Sequence, residues 1–241
     1  MDPVKAQEQV MVVPREYFFN KFDYFEGFKP AMHFNENSGL TVDVEKFEYK
    51  EVSRKILDAA TYLTRGQCEE DPNYLQIIPY ICVFHAGRVF YVQRGGEASE
   101  KRLHGKISIG MGGHLNREDE LYVWPNRGAV ISHSCERNII LNGAIRELDE
   151  ETQIDGNFNI TYAGMINHDC DPVNEVHLGM VFFAKLWENG RIFPRELEKI
   201  SGHGLNYTHI LSDSKHEETL EMWSKSIIDG LKEIDKNESY A

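Results

Sequence analysis

The sequence is poor in cysteine and has no long apolar run. Its four cysteines, Cys68, Cys82, Cys135 and Cys170, are spread through 241 residues and include no C-x-x-C pair. That spacing supports neither a zinc knuckle nor a redox dithiol, so all four read as reduced thiols. Cys82, inside an apolar run, reads as a small buried hydrophobe. No stretch of about 18 apolar residues occurs, and no membrane-spanning helix is expected. The start, Met1-Asp2-Pro3-Val4-Lys5, lacks the basic-then-apolar order of a secretory signal. A cytoplasmic protein is therefore the expectation. Positive charge is scarce too, with 26 Lys and Arg against 39 Asp and Glu, a formal net charge of -13. Non-specific binding to nucleic acid or to an anionic membrane needs clustered cations and is not expected. A phosphorylated small molecule stays compatible if metal ions and a few local cations offset the charge. No G-x-S-x-G element offers a nucleophile elbow, and the Gly-x-Gly-Gly at Gly110 to Gly113 is too short to argue a dinucleotide fold. There is no internal repeat and no low-complexity tract.

What is present is one core's worth of apolar residues, 41% of the chain, which predicts a single globular unit with additions. Val10 to Val13 is strand-like. The aromatic cluster that follows (Tyr17, Phe18, Phe19, Phe22, Tyr24, Phe25, Phe28) is too dense to leave in water and must pack on the main domain or a partner chain. Helical spacing at Val52, Ile56, Ala59 and Ala60 predicts an amphipathic helix within residues 42–65. The main sheet starts with Ile77 to Phe84 and Val89 to Val92, joined by the short loop His85-Ala86-Gly87-Arg88. A long helix is expected from about Ser134 to Thr152, then a turn at Asp155-Gly156. Strands follow at Ile160 to Ile166 and Val176 to Trp187, and an amphipathic helix at roughly Glu217 to Ile234.

The long helix carries Arg146-Glu147-Leu148-Asp149-Glu150-Glu151. Separations of three and four put Glu147, Glu150 and Glu151 on one face, while Leu141, Ile145 and Leu148 form a separate core stripe. Like charges at these spacings repel by a few tenths of a kcal/mol per pair, roughly, in an isolated helix, and a divalent cation reverses that sign. Mg²⁺ takes oxygen ligands, usually one or two carboxylates with water and substrate phosphate. Arg146, four residues before Glu150, can orient a ligand carboxylate. The plainer reading, an exposed acidic helix surface, is weakened by the glycine-rich strand end that precedes the helix.

The segment Arg146 to Ile154 resembles the second half of the Nudix box, R-E-U-x-E-E-x-G-U with U aliphatic, at every defined position except Gln153. Its first half, G-x5-E, is met by Gly112 and Glu118, but residues 119–145 then intervene where the family has a short spacer. An insertion ahead of the helix explains this and leaves the role of Glu118 open. Gln153 removes the left-handed glycine that usually ends the helix, and Gly156 is expected to take over slightly later. Further matches at Val12-Val13-Pro14-Arg15, Gln76 to Tyr80, Ser108 to Asn116, Asn167-His168-Asp169 and Val176 to Gly179 resemble a Nudix subgroup labelled predicted phosphoesterases. Its box is likewise interrupted and its N terminus extended. The resemblance spans roughly residues 10 to 190.

It implies an α/β/α sandwich around a mixed β-sheet, with an N-terminal extension (1–75), a catalytic domain (76–190) and a C-terminal helical extension (191–241). It also implies Mg²⁺-dependent hydrolysis of a phosphoanhydride in a nucleoside-diphosphate derivative or similar small phosphorylated metabolite, with Mn²⁺ as the alternative ion. Carried over by position, Glu147, Glu150 and Glu151 are the metal ligands and Arg146 orients them. Gly112 and Gly113 let the backbone approach metal or phosphate, and Glu118 is an accessory ligand or base, or else a solvated loop residue. Which carboxylate is the general base is left open. Arg94, Lys101, Arg102 and Lys106 are candidate phosphate clamps, with Arg94 the foremost, or solvated loop charges. His114 and His177 are candidate site residues, or a loop and a core histidine. The loop Asn167 to Asp171 either reaches the pocket or forms an ordinary turn; it is no zinc set. Two other functions stand beside the hydrolase: a non-catalytic Nudix-like nucleotide-binding regulatory module, and a prenyl-diphosphate isomerase, for which Cys135 sits too early. A homo-oligomer is compatible with the sequence.

Overall fold

In the computed structural model of the chain, the described residues are 2–35, 39–42, 49–96, 103–123, 129–131, 135–213 and 219–238. In chain order they form α1 (Pro3–Ala6), β1 (Gln9–Pro14), α2 (Arg15–Lys21), β2 (Gly27–Pro30), the hairpin β3 (Met32–Asn35) and β4 (Gly39–Val42), α3 (Tyr49–Ala59), β5 (Thr61–Thr64), α4 (Arg65–Cys68), β6 (Tyr74–His85) and β7 (Arg88–Arg94). Next come β8 (Ile107–Ser108), β9 (Gly110–Gly112), a 3-10 helix at Arg117–Leu121, β10 (Ala129–Ile131) and α5 (Ile139–Glu151). The rest comprises β11 (Thr152–Asp155), β12 (Phe158–Asn167), α6 (Pro172–Glu175), β13 (His177–Leu186), β14 (Arg191–Pro194), β15 (Ile200–Asn206), α7 (Thr208–Leu211) and α8 (Met222–Glu238).

Strand β6 is the hub of a mixed sheet of eleven strands. Along one edge it pairs in parallel with β13, and it also pairs antiparallel with β1, β7 and β9. Its near-continuous apolar sequence is what a strand covered on both faces requires. Because successive side chains alternate, Leu75, Ile77, Ile81 and Val83 join one core with Leu141, Ala144, Ile145 and Leu148 of α5. Tyr80 and Cys82 join a second core with Ile227 and Ile228 of α8. The two helices therefore lie on opposite faces, the expected α/β/α sandwich around a mixed sheet. Pro79 falls in the break between the β1 partners (Tyr74 to Gln76) and the β9 partners (Tyr80 to Cys82), where a missing N–H donor costs least.

The β6–β7 loop is a two-residue turn with Ala86 and Gly87 both at positive φ, 49° and 73°, the twist that a tight hairpin needs. Val10 to Val13 form the interior of β1, and Phe18 and Phe22 of the aromatic cluster enter the core shared with α5. The amphipathic helix is Tyr49–Ala59, with Val52 and Ile56 buried. Helix α8 begins at Met222, later than the sequence pattern suggests, and is bolted to the sheet by Ser224: its hydroxyl meets Tyr80 Oη at 3.1 Å and accepts the Ile109 N–H at 3.0 Å.

Two expectations for the long helix are corrected. It begins at Ile139 rather than near Ser134, because the Asn138 side chain accepts the N–H groups of Ile140 and Leu141 and caps it. Nor does Gly156 end it: Thr152 turns directly into extended backbone (φ -134°, ψ 156°), and its hydroxyl donates to Leu148 O at 2.6 Å. Gln153 thus sits in a strand, where no left-handed residue is needed, and Gly156 (φ 121°) serves the following β11–β12 turn.

Candidate functional site

Arg146 organises the end of α5. Its Nε donates to Asp119 Oδ1 at 2.6 Å, its Nη1 to Glu147 Oε1 at 2.7 Å and to Glu150 Oε2 at 3.3 Å, and its Nη2 to the His114 carbonyl at 3.0 Å. Asp119 is fully buried, whereas its neighbour Glu118, which the motif count picks out, is exposed. A 3-10 helix turns about 120° per residue, so adjacent acids cannot both face inward. The sequence did hold a signal for Asp119: Asn116-x-x-Asp119 has the spacing of a capping box, and the Asn116 N–H donates to Asp119 Oδ2 at 2.8 Å.

The three glutamates do not converge equally. Glu147 is buried beside Gly113, so close that a Cβ on Gly113 would lie 2.2 Å from Glu147 Oε1. Burial raises the Glu147 carboxyl above its usual range against the pull of Arg146. Burial pushes the Glu151 carboxyl up to about 8, opposed first by Arg94 and reinforced by Glu147 and Glu196. Glu150 has a side chain 60% exposed and leans on Arg146. One buried and one half-buried carboxylate, a helical turn apart and offering only oxygen, fit a hard divalent ion such as Mg²⁺ completed by water and substrate. Glu147 and Glu151 would hold it, with Glu150 at the margin.

On the α8 side of Gly112 and Gly113 lies an open cleft of about 720 Å³ lined by both glycines, His114, His177, Arg94 and Glu221 among others. Neither Glu147 nor Glu151 is among its lining residues. Arg94 Nε donates to Glu221 Oε1 at 2.9 Å, which fixes the guanidinium at the rim. Lys106 is not among the cleft's lining residues, and Lys101 and Arg102 lie outside the described residues.

His114 and His177 meet inside the cleft, their Nε2 atoms 3.3 Å apart. Burial first, then Arg65, His177, Lys5 and Arg146, holds His114 well below the usual imidazole range. Among the described residues, Glu69, His114 and His177 form the one group of three or more His, Cys, Asp or Glu ligand atoms all within 4.8 Å of one another. Glu69 and Glu221 carried no motif, and only the fold brings them here. The loop at Asn167 to Asp171 turns away instead: Asp169 accepts from Arg15 at 2.6 Å, His168 bonds Glu26 and Ser226, and Asp171 caps α6. Cys135 is buried in the core behind Tyr162 and lines no part of the cleft. No helix among the described residues is long and apolar enough to cross a membrane.

No family model matches the chain. It is 29% identical over 230 residues to Protein YmaB of Bacillus subtilis (strain 168), an alignment covering 94% of this chain and 98% of that protein. Among solved structures it resembles Tm1382, described as a candidate Nudix hydrolase, at 24% identity and a TM-score of 0.67, covering 93% of this chain and 98% of the other. DR0079 from Deinococcus radiodurans, at 11% identity and a TM-score of 0.44, is too distant to bear on either fold or function. The likeness to Tm1382 shows that this chain has the Nudix fold.

Proposed function

We propose that this Nudix-fold chain is a Mg²⁺-dependent hydrolase, with Mn²⁺ able to substitute, that splits the phosphoanhydride of a nucleoside-diphosphate derivative or a similar small phosphorylated metabolite. The observation that carries this reading is the pair Glu147 and Glu151, one helical turn apart, Glu147 buried beside Gly113 and Glu151 half-buried. Two carboxylates this close are costly to ionise together without a cation, and a site that keeps them is suited to holding one. When bound, Mg²⁺ neutralises phosphate oxygens and lowers the pKa of a coordinated water.

The chain's own residues do the rest. Arg146 locks Glu147 in place and, through the His114 carbonyl, fixes the strand end on which the glycines sit. Arg94 keeps N–H donors beyond the one given to Glu221 and presents them at the rim, where a substrate phosphate can take them in a charge-assisted pair. Glu118, exposed, has no part in this arrangement.

A second reading, a non-catalytic nucleotide-binding module, is favoured by one observation: the first half of the motif contributes no carboxylate to the pair. Purified protein assayed with Mg²⁺ or Mn²⁺ on diphosphates linked to sugars, nucleosides and alcohols separates the two. Turnover lost about 100-fold or more in Glu151→Gln supports hydrolysis, in the range that loss of a directly acting group produces. Binding without turnover supports the module, and turnover unchanged in Glu151→Gln removes the proposed metal site.

A further inference from the structure

We propose that Glu69, His114 and His177 form a second cation site on the other side of Gly113, one that takes a nitrogen-preferring divalent ion of the Zn²⁺ class rather than Mg²⁺. This goes beyond the hydrolase reading and does not rest on it, since none of the box glutamates belongs to the cluster.

The three residues come from separate parts of the chain. Glu69 follows α4, His114 follows β9, and His177 opens β13, yet their ligand atoms all lie within 4.8 Å of one another. The spacing of the imidazoles matches a shared ion. Two nitrogens each about 2.05 Å from one metal, at the tetrahedral angle, stand roughly 3.3 Å apart. The two Nε2 atoms are 3.3 Å apart, beyond the usual reach of a good N–H hydrogen bond.

The surroundings orient these ligands. His177 Nδ1 lies 2.5 Å from the Val173 carbonyl, and a carbonyl can only accept, so Nδ1 carries the proton. A neutral His177 then presents the Nε2 lone pair to the cleft, the arrangement of metal-bound histidines whose other nitrogen donates to backbone. Glu69 accepts from Arg65 Nε at 3.2 Å, which fixes its carboxylate and leaves it lone pairs to give. His114 is fixed from behind, through its carbonyl bond to Arg146. On the same sheet face, Gln76 is in register beside His177 and is fully buried, and its side-chain amide has no hydrogen-bond partner among the described residues. A polar floor of that kind suits a coordinated water.

The charges near the cluster are largely paired. Arg65 is met by Glu69 and Glu8, at 3.2 and 3.5 Å, and Arg146 by Asp119 and Glu147. Two imidazoles and one carboxylate suit Zn²⁺ and its first-row neighbours, whereas Mg²⁺ seeks oxygen. Three protein ligands also leave a tetrahedral ion one open position, and all three residues line the open cleft.

The test uses full-length, tag-free protein stripped with chelator, then dialysed against Zn²⁺ in a large excess of Mg²⁺. One retained Zn²⁺ per chain is expected, with affinity lowered about 100-fold or more in His114→Ala and in His177→Ala. Glu147→Gln should retain Zn²⁺ even where Mg²⁺-dependent turnover is lost, which separates the two sites. Co²⁺ added to the wild type guards against variants that fail to fold: the visible bands of a four- or five-coordinate ion with nitrogen ligands are expected, and Glu69→Gln should alter them. The proposal is overturned if the wild type retains no Zn²⁺, if both histidine variants retain it unchanged, or if Co²⁺ gives only the spectrum of the free ion. A pair of imidazoles merely hydrogen-bonded to each other would give the first of these results.

Discussion

Replacing Arg146 by methionine keeps much of the side chain's apolar stem and removes its charge. In the wild type that charge faces a fully buried Asp119 through two contacts, at 2.6 and 3.2 Å, and also holds Glu147 and the His114 carbonyl. Breaking a buried pair by removing one partner costs about 3–5 kcal/mol, mostly because the other charge stays desolvated. For a chain of this size each kcal/mol shifts Tm by about 2–4 °C, so a drop of roughly 6–20 °C is expected. Differential scanning calorimetry with a urea titration measures it. The cause is isolated by a double-mutant cycle: Asp119→Asn in the Arg146→Met background removes the stranded charge and should recover ~2 kcal/mol. The Asn116 N–H can still be accepted by the amide oxygen of an asparagine there. A loss below about 1 kcal/mol, or one that the second substitution does not relieve, would refute the claim that Arg146 neutralises Asp119.

Further expectations concern the carboxylates, the glycine strip and the C-terminal helix. The folded-state pKa of Glu151, raised to about 8, lies above its unfolded value near 4.5, so the native state holds a proton that the unfolded state lacks between those limits. Its contribution to stability is present below pH 4.5 and is lost as pH rises to about 8. An ion competing with that proton should stabilise more at high pH, so the Tm gain from Mg²⁺ is expected to grow between about pH 6.5 and 8.5. A pH-independent gain in thermal-shift assays would contradict this. Gly113→Ala puts a Cβ 2.2 Å from Glu147 Oε1, so the carboxylate or the strand must move. A stability cost of about 1–3 kcal/mol is expected, and a Mg²⁺-dependent activity reduced at least about tenfold by a displaced ligand. Ser224→Ala leaves the buried Ile109 N–H without its acceptor, which should cost about 1–3 kcal/mol in a urea titration. No measurable loss there would mean that α8 is not fastened through this contact.

Much of the fold could be read from local pattern. The β6–β7 hairpin followed from a short glycine loop between two apolar runs, and the core face of α5 from the spacing of Leu141, Ile145 and Leu148. These signals are periodic and local, which is why they survive in a single sequence. The helix ends were harder, because Asn138 and Thr152 act through one or two hydrogen bonds that leave no periodic trace. The site was legible only where it is helical. Counting along the motif selected Glu118, but a 3-10 turn decides which of two adjacent acids faces inward, and it turned Asp119 to Arg146. The meeting of His114 with His177 and Glu69, and of Arg94 with Glu221, depends on strand order and register. No spacing in the chain encodes those distances.

Strand β6 gives the cleft its dimensions. His177 stands in register with Gln76 on one side of β6 and Gly112 with Tyr80 on the other, so both are positioned by the same strand, four residues apart along it. Widening the cleft by swinging one wall would break pairing with the strand at the centre of the sheet. The spacing of these two points is therefore set when the chain folds, and the side chains at the rim, Arg94 and Glu221 among them, are the parts of the cleft that can move without breaking the sheet.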